Sequence, residues 1–172
     1  MDDMKAVVLA AGKGTRLQSE QYDLPKVLRE ANGKPLLQYV LDALDFLPRE
    51  DIILVVGYKR EQVTARFPDY PSAVQEPQLG TGHAVQCAGP ELADFRGPVL
   101  VCCGDMPLIE PYTYWKLLET HKAEENACSI LSSSCSLPLH LGKIVRDFNH
   151  KFDRIVEEKD CSPAQLAIRE VN

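Results

Sequence analysis

The sequence predicts an α/β fold: a mostly parallel central sheet with helices on both faces, followed by a strand-rich C-terminal portion. Three observations carry this. Through the first two thirds, short β-branched apolar runs alternate with helix-spaced segments, the grammar of a parallel sheet. Three loops that follow strands, at 10–16, 75–82 and 103–107, are rich in glycine and polar residues. In such sheets ligands bind outside the carboxyl ends of the strands, so one crevice receives all three loops. Past residue 126 the helical segments give way to short strands.

The elements follow in order. Residues 5–10 (KAVVLA) read as a buried strand feeding AGKGTR. Residues 35–47 place apolar side chains at 36, 37, 40, 41, 44 and 47, a helical spacing opened by a proline. DIILVV at 51–56 is a second buried strand, ended by Gly57, and 59–67 a second helix, closed by Pro68. Residues 72–75 form a short strand entering EPQLGTG, and 83–92 a helix. PVLVCC at 98–103 is a third buried strand before Gly104-Asp105, and 111–125 a long helix. Residues 127–134, 143–148 and 154–158 read as strands, with Asn149-His150 near a hairpin turn, and 163–168 as a short helix. The expected organisation is one domain over 1–172, in two portions, 1–126 and 127–172.

Composition narrows the function classes. The chain has 172 residues, enough to bury roughly 70% of its unfolded surface. Nineteen Lys and Arg against 25 Asp and Glu give a net charge of −6, which argues against a nucleic-acid partner. A small phosphorylated ligand needs only a few local cations and stays open. The six cysteines lack Cys-x-x-Cys spacing, and Cys102-Cys103 lies in an apolar run, so reduced core thiols of a cytoplasmic protein are expected. No run approaches the ~20 apolar residues of a membrane span, and nothing resembles a signal peptide. There is no membrane partner to expect; an oligomer is left open.

The glycine loop Leu9, Ala10, Ala11, Gly12, Lys13, Gly14, Thr15, Arg16 carries the strongest chemical signal. Small residues let backbone N–H groups approach phosphate oxygens, and Lys13 and Arg16 add charge. The spacing is not that of a Walker A loop, and Leu17 stands where a dinucleotide fingerprint needs a third glycine, which disfavours an oxidoreductase. Pro25 fixes the backbone before Lys26 and can aim that lysine into the crevice. Asp105, at the end of a strand, sits where a hard metal such as Mg²⁺ is commonly placed beside phosphates. Each has a plainer alternative: a tight turn, a solvated lysine, a turn residue.

Taken in order, these pieces resemble the sugar-phosphate nucleotidylyltransferases, in particular the N-terminal uridylyltransferase (pyrophosphorylase) domain of the bacterial N-acetylglucosamine-1-phosphate uridylyltransferases. The matching stretches are VVLAAGKGTRL, LPKVL, GKPLLQYVLDAL, QEPQLGTGHAV, VLVCCGDMPLI, GKIVRD, IVEEKD and IREVN, and they run over about the whole chain. The first and fourth together are specific. The resemblance implies a Rossmann-like fold of the nucleotide-diphospho-sugar transferase type, with 1–126 as its nucleotide-binding portion and 127–172 as an incomplete sugar-binding portion. It implies that Leu9, Ala10, Ala11, Gly12, Lys13, Gly14, Thr15 and Arg16 hold the nucleotide and that Lys26 reaches the reacting phosphates. Gln75, Gly80 and Thr81 are implied to read the uracil edge. Cys103, Gly104 and Asp105 line the nucleotide side, with Asp105 as the metal ligand, and Gly142, Glu157 and Asn172 bind the sugar.

The implied reaction joins UTP to a sugar 1-phosphate, giving a UDP-sugar and pyrophosphate, with Mg²⁺ as cofactor and Arg16, Lys26 and Asp105 as catalytic residues. A sugar phosphate is largely dianionic at neutral pH, so no general base is needed. Three features depart from the family pattern. The stretch between Arg16 and Lys26 is longer, and His140-Leu141-Gly142 stands where glycine-aromatic-glycine is usual. The pattern also continues past Asn172, where its second metal-binding asparagine belongs; the expectation is a fragment nearly inactive alone. A transferase for another nucleotide or acceptor, and a catalytically silent nucleotide-binding module, are the competing readings.

Overall fold

A computed structural model describes residues 4–14, 23–134 and 141–172. The chain divides into two compact units, Met1–Trp115 and Lys116–Asn172. The first is built on a four-stranded sheet of β1 (Lys5–Ala10), β4 (Ile52–Val56), β5 (Ser72–Val74) and β6 (Val99–Cys103), in the order β5-β4-β1-β6. All three pairings are parallel, with Ala6 opposite Ile52 and Leu9 opposite Cys103. The predicted parallel α/β architecture is what forms. From β1 the chain steps to β4 and β5 on one side, then returns to place β6 on the other side of β1. That reversal makes the carboxyl ends of β1 and β6 the switch point where such sheets bind ligands.

Burial explains why these runs are strands. All five residues of β4 are at most 1% exposed. Val7, Ile53 and Val55 pack with Ala73 and with Ala84 and Ala88, while Ala6, Val8, Ile52, Leu54 and Val56 alternate onto the opposite side and are also buried. Covering each of these valine, isoleucine and leucine side chains is worth about 1.5–3 kcal/mol.

The helices are shorter than their apolar spacing predicts. The segment 35–47 holds α1 (Leu36–Ala43), after which Leu44 N–H bonds to Leu41 O and Leu47 N–H to Leu44 O in tightened turns. Leu44 and Leu47 still point inward, so burial runs past the helix end. α2 (Arg60–Arg66) follows β4. α3 (Thr81–Cys87) starts two residues before the predicted 83, directly after Gly80, and a separate 3₁₀ turn at Pro90–Leu92 replaces its predicted second half. A hairpin of β2 (Glu30–Ala31) and β3 (Lys34–Pro35) was not expected; its turn is Asn32-Gly33, both at positive φ, a type I′ signature visible in the sequence.

The unit boundary falls inside α4 (Pro111–Ala123). The second unit is an antiparallel sheet of β7 (Ser133–Ser134), β8 (Lys143–Arg146), β9 (Phe152–Val156) and β10 (Glu170–Val171), ordered β7-β10-β8-β9, with α5 (Pro163–Leu166) started by a Ser162/Gln165 capping box. The strand predicted over 127–134 shrinks to two residues, since only Ser133 and Ser134 find partners, on β10. β9 lies two residues earlier than predicted, because Asp147 N–H bonds to Lys151 O and the Asp147 carboxylate accepts from Asn149 and Lys151 N–H, closing the turn at 147–151. Arg146 donates through Nε and Nη2 to both oxygens of Glu170, each at 2.7 Å, and Ser132 Oγ donates to Glu170 Oε1 at 2.8 Å. These bonds hold the Glu170 carboxyl down at about 2. Cys87, Cys102, Cys103, Cys128 and Cys161 are free thiols; Cys135 lies outside the described residues.

Candidate active site

The ends of β1 and β6 are held together beyond their last ladder pair. Gly104 N–H donates to Leu9 O at 2.9 Å. A Cβ at Gly104 would sit 3.1 Å from that oxygen, 3.2 Å from Leu37 Cδ1 and 3.3 Å from Val27 Cγ1, so only glycine admits this approach without displacement. Asp105 is thereby delivered beside the loop that follows β1. On the other side of β1, Tyr58 N–H donates to Ala11 O at 3.2 Å, and Gly57 leaves room for Ala11 and Gln78, each 2.9 Å from a Cβ built there.

Lys26 opens the 3₁₀ turn Lys26–Leu28, anchored by buried Val27 and Leu28. Pro25, at φ −58° and ψ 144°, sets the direction of entry. Lys26 Nζ forms an ion pair with Asp105 Oδ2, with the two side chains 33% and 23% exposed. Both groups line a cleft of about 310 Å³, together with Leu9 near the end of β1, Ala11 and Gly12 just after it, and Cys103 at the end of β6. The Cys103 thiol is pushed up by burial and by Asp105, against the opposing effect of Lys26. Deeper in the strand, burial and Cys103 push the Cys102 thiol up to about 12, despite its hydrogen bond with Tyr114.

The far wall of the cleft is the segment after β5. Gln75 is 5% exposed; its backbone N–H bonds to Val56 O at 2.8 Å and its Nε2 donates to Gly80 O at 2.9 Å. Gly80, at φ 103°, takes a backbone conformation that side chains disfavour, and Thr81 starts α3 facing the same cleft. Gln75 and Gln78 also border a second, larger hollow of about 720 Å³, whose cations are Lys13, Lys59 and Arg60.

In the second unit, Lys143 pairs with Val156 and with Val171. One step further along these antiparallel strands, Gly142 falls between Glu157 and Asn172. Asn172 N–H donates to Gly142 O at 3.2 Å, and a Cβ on Gly142 would lie 2.5 Å from Asn172 Oδ1. The three predicted sugar residues therefore share one rung at one end of the sheet.

Residues 6–157 match the family of the MobA-like NTP transferase domain. The chain belongs to this family. It is also 42% identical to the bifunctional protein GlmU of Pelobacter propionicus over 175 residues, covering 100% of this chain and 37% of that protein. With GlmU of Pelotomaculum thermopropionicum it shares 44% identity over 171 residues, 99% of this chain and 37% of the relative. The chain thus spans a little over a third of the curated relatives it matches. Among solved structures, a putative glucose-1-phosphate thymidylyltransferase from Bacillus anthracis, in complex with a sucrose, superposes with a TM-score of 0.77 at 19% identity, covering 98% of this chain and 68% of that one. A UDP-glucose pyrophosphorylase complexed with UDP-glucose gives 0.75 at 17% identity, covering 98% and 73%. At these identities the likeness establishes the fold.

For a member of the NTP transferase family, the cleft brings together nine of the residues singled out from the sequence: Leu9, Ala11, Gly12, Lys26, Gln75, Gly80, Thr81, Cys103 and Asp105. Ala10 and Gly104 are buried and do not line the cleft, while Lys13 lines the larger hollow instead. Gly14 has a positive φ of 70°. Thr15 and Arg16 lie outside the described residues. Sequence reasoning passed over Gln78, Val27 and Ala84, which also line the cleft. Gln78 stood inside EPQLGTG, but an exposed loop amide carries no periodicity to mark it.

Proposed function

We propose that this chain carries the nucleotide site of a uridylyltransferase that joins UTP to N-acetylglucosamine 1-phosphate and releases pyrophosphate. One observation carries the reading: a single cleft presents a buried amide and a glycine N-terminal to α3 at one wall and a lysine–carboxylate pair at the other. The relatives named GlmU support it, as does the family model over residues 6–157.

In this reading a phosphate oxygen of the sugar 1-phosphate attacks the α-phosphorus of UTP, and the bond to the bridging oxygen of pyrophosphate breaks. The attacking phosphate is already largely ionised at neutral pH, so no side chain must take a proton. The protein's task is positioning and charge neutralisation. Gln75, Gly80 and Thr81 orient the base, the backbone after Leu9 faces the phosphates, and Lys26 neutralises charge that develops at the reacting phosphorus. Arg16 and Lys13 serve the departing pyrophosphate.

Asp105 is the residue of the cleft that fits a divalent metal, Mg²⁺ in this reading. Among the described residues no three His, Cys, Asp or Glu cluster as an all-protein cage. One hard carboxylate beside a phosphate site is the donor set that Mg²⁺ completes with substrate oxygens and water. When bound, the metal neutralises phosphate charge and aligns the reacting oxygens. Gly142, Glu157 and Asn172 recognise the sugar, and residues 127–172 form the sugar-binding portion.

Calorimetric titration with UTP, ATP and GTP, paired with pyrophosphate release across a matrix of nucleotides and sugar 1-phosphates, tests the proposal. UTP should bind most tightly, and N-acetylglucosamine 1-phosphate should be the best acceptor. ATP binding as tight as UTP, or a different best acceptor, moves the chain to another branch of the transferases.

A further inference from the structure

We infer that His83 is a positioning residue: it fixes which atom of the Gln75 amide meets the base, and so sets a preference for uracil over cytosine. The inference rests on the uridylyl reading above.

Gln75 is almost fully buried, so its polar atoms need partners. A carboxamide nitrogen carries two hydrogens. One points to Gly80 O at 2.9 Å, and Nε2 also lies 3.3 Å from His83 Nδ1. Gly80 O can only accept, which settles the end of the amide that lies there. His83 accepts at Nδ1 in the tautomer that keeps its proton on Nε2. His83 Nε2 lies 3.8 Å from Cys87 Sγ, one turn further along α3, and the sulfur can receive that proton's hydrogen bond.

With both N–H groups engaged, Gln75 has only its carbonyl oxygen to offer in the cleft it lines. An acceptor there pairs with the ring N–H of uracil. Cytosine presents a ring lone pair at the same position, and two acceptors repel. Gly80 alone does not enforce this, because the second N–H would be without an acceptor in the protein. With only the Gly80 bond to hold it, the planar amide can rotate about its last side-chain bond and present that N–H to an acceptor on the ligand.

The test is calorimetric titration of UTP and CTP into wild type, His83→Phe and His83→Asn, with thermal melts of each. Asparagine can place its side-chain oxygen where Nδ1 stands. Wild type should bind UTP about tenfold more tightly than CTP or better, since an unmatched polar pair costs about that much. His83→Phe should lose most of that ratio, and His83→Asn should keep it. A purely structural role would weaken both nucleotides equally and leave the ratio unchanged; that result in a folded His83→Phe overturns the inference alone. If His83→Phe does not fold, His83→Asn decides, and loss of the ratio there overturns it. A wild type that binds CTP as tightly as UTP overturns the uridylyl reading and this inference together.

Discussion

Lys26 and Asp105 neutralise each other, joining the turn after Pro25 to the end of β6. Both side chains are partly exposed, and such pairs contribute about 0–1 kcal/mol. The pair is therefore cheap to break. In the proposed reaction phosphates draw the lysine and a divalent cation the carboxylate without large cost to the fold, and each partner can be removed separately.

Asp105→Ala should leave the melting temperature nearly unchanged and abolish metal-dependent turnover, by about 10²-fold or more. The comparison is pyrophosphate release against Mg²⁺ concentration in a form of the protein that is active as wild type. An unaltered metal response would remove Asp105 from the site.

Lys26→Ala should lower kcat by about 10²-fold while raising the nucleotide KM much less, since in the proposed reaction its charge acts chiefly on the transition state. Steady-state kinetics separates the two. A rise in KM alone would make Lys26 a binding residue only.

The same lysine tunes a thiol. Burial and Asp105 raise Cys103, and Lys26 opposes them. Replacing the lysine lets the value climb further, so less thiolate is present at a given pH. Lys26→Met should thus slow alkylation of Cys103 by iodoacetamide at pH 8, followed by peptide mapping because exposed Cys128 also reacts. Faster labelling would mean that access, not charge, governs this cysteine.

Gly57→Ala should destabilise the first unit by about 1–3 kcal/mol, as an overpacked site does. The new methyl would meet Ala11 Cβ and Gln78 Nε2 at 2.9 Å and Ala11 O at 3.1 Å. Ala11 and Gln78 also line the cleft, so UTP affinity should fall with it. Denaturant midpoints and titration check both, and a variant with wild-type values for each would show that the loop yields freely.

Glu170 gives a prediction in acid. Its carboxyl is held at about 2 by Arg146 and Ser132, below its ordinary value of about 4.3. A depressed folded value stabilises above the unfolded value, and that stability is lost as pH falls through the folded one. Glu170→Gln should therefore melt below wild type at pH 7, with the gap closing between about pH 4 and pH 2. A gap independent of pH would mean the loss comes from packing alone.

Some of this was legible in the chain and some was not, for physical reasons. β1 and β4 were clear because buried parallel strands leave unbroken apolar runs; β6 kept such a run before Gly104-Asp105, yet it is buried on one face only, with Val99 and Val101 exposed. Helix ends were not, since Leu44 and Leu47 keep the apolar spacing through turns that are no longer α-helical. The strands of the second unit are mostly exposed, as at Phe152, Asp153 and Arg154, and so lack alternation to mark their bounds. Lys26 and Asp105 stood out through neighbours, Pro25 and Gly104, whose backbone demands are local. His83 did not, because its partners Gln75 and Cys87 are set by the fold around α3.

The hydrogen bond from Gly104 to Leu9 has a consequence for chimeras. The loops after β1 and β6 leave neighbouring strands of one ladder side by side, with Leu9 opposite Cys103. Grafting either loop alone from a relative would change the step between them, even with every side chain retained. The smallest transplantable piece is the pair of strands with both loops attached.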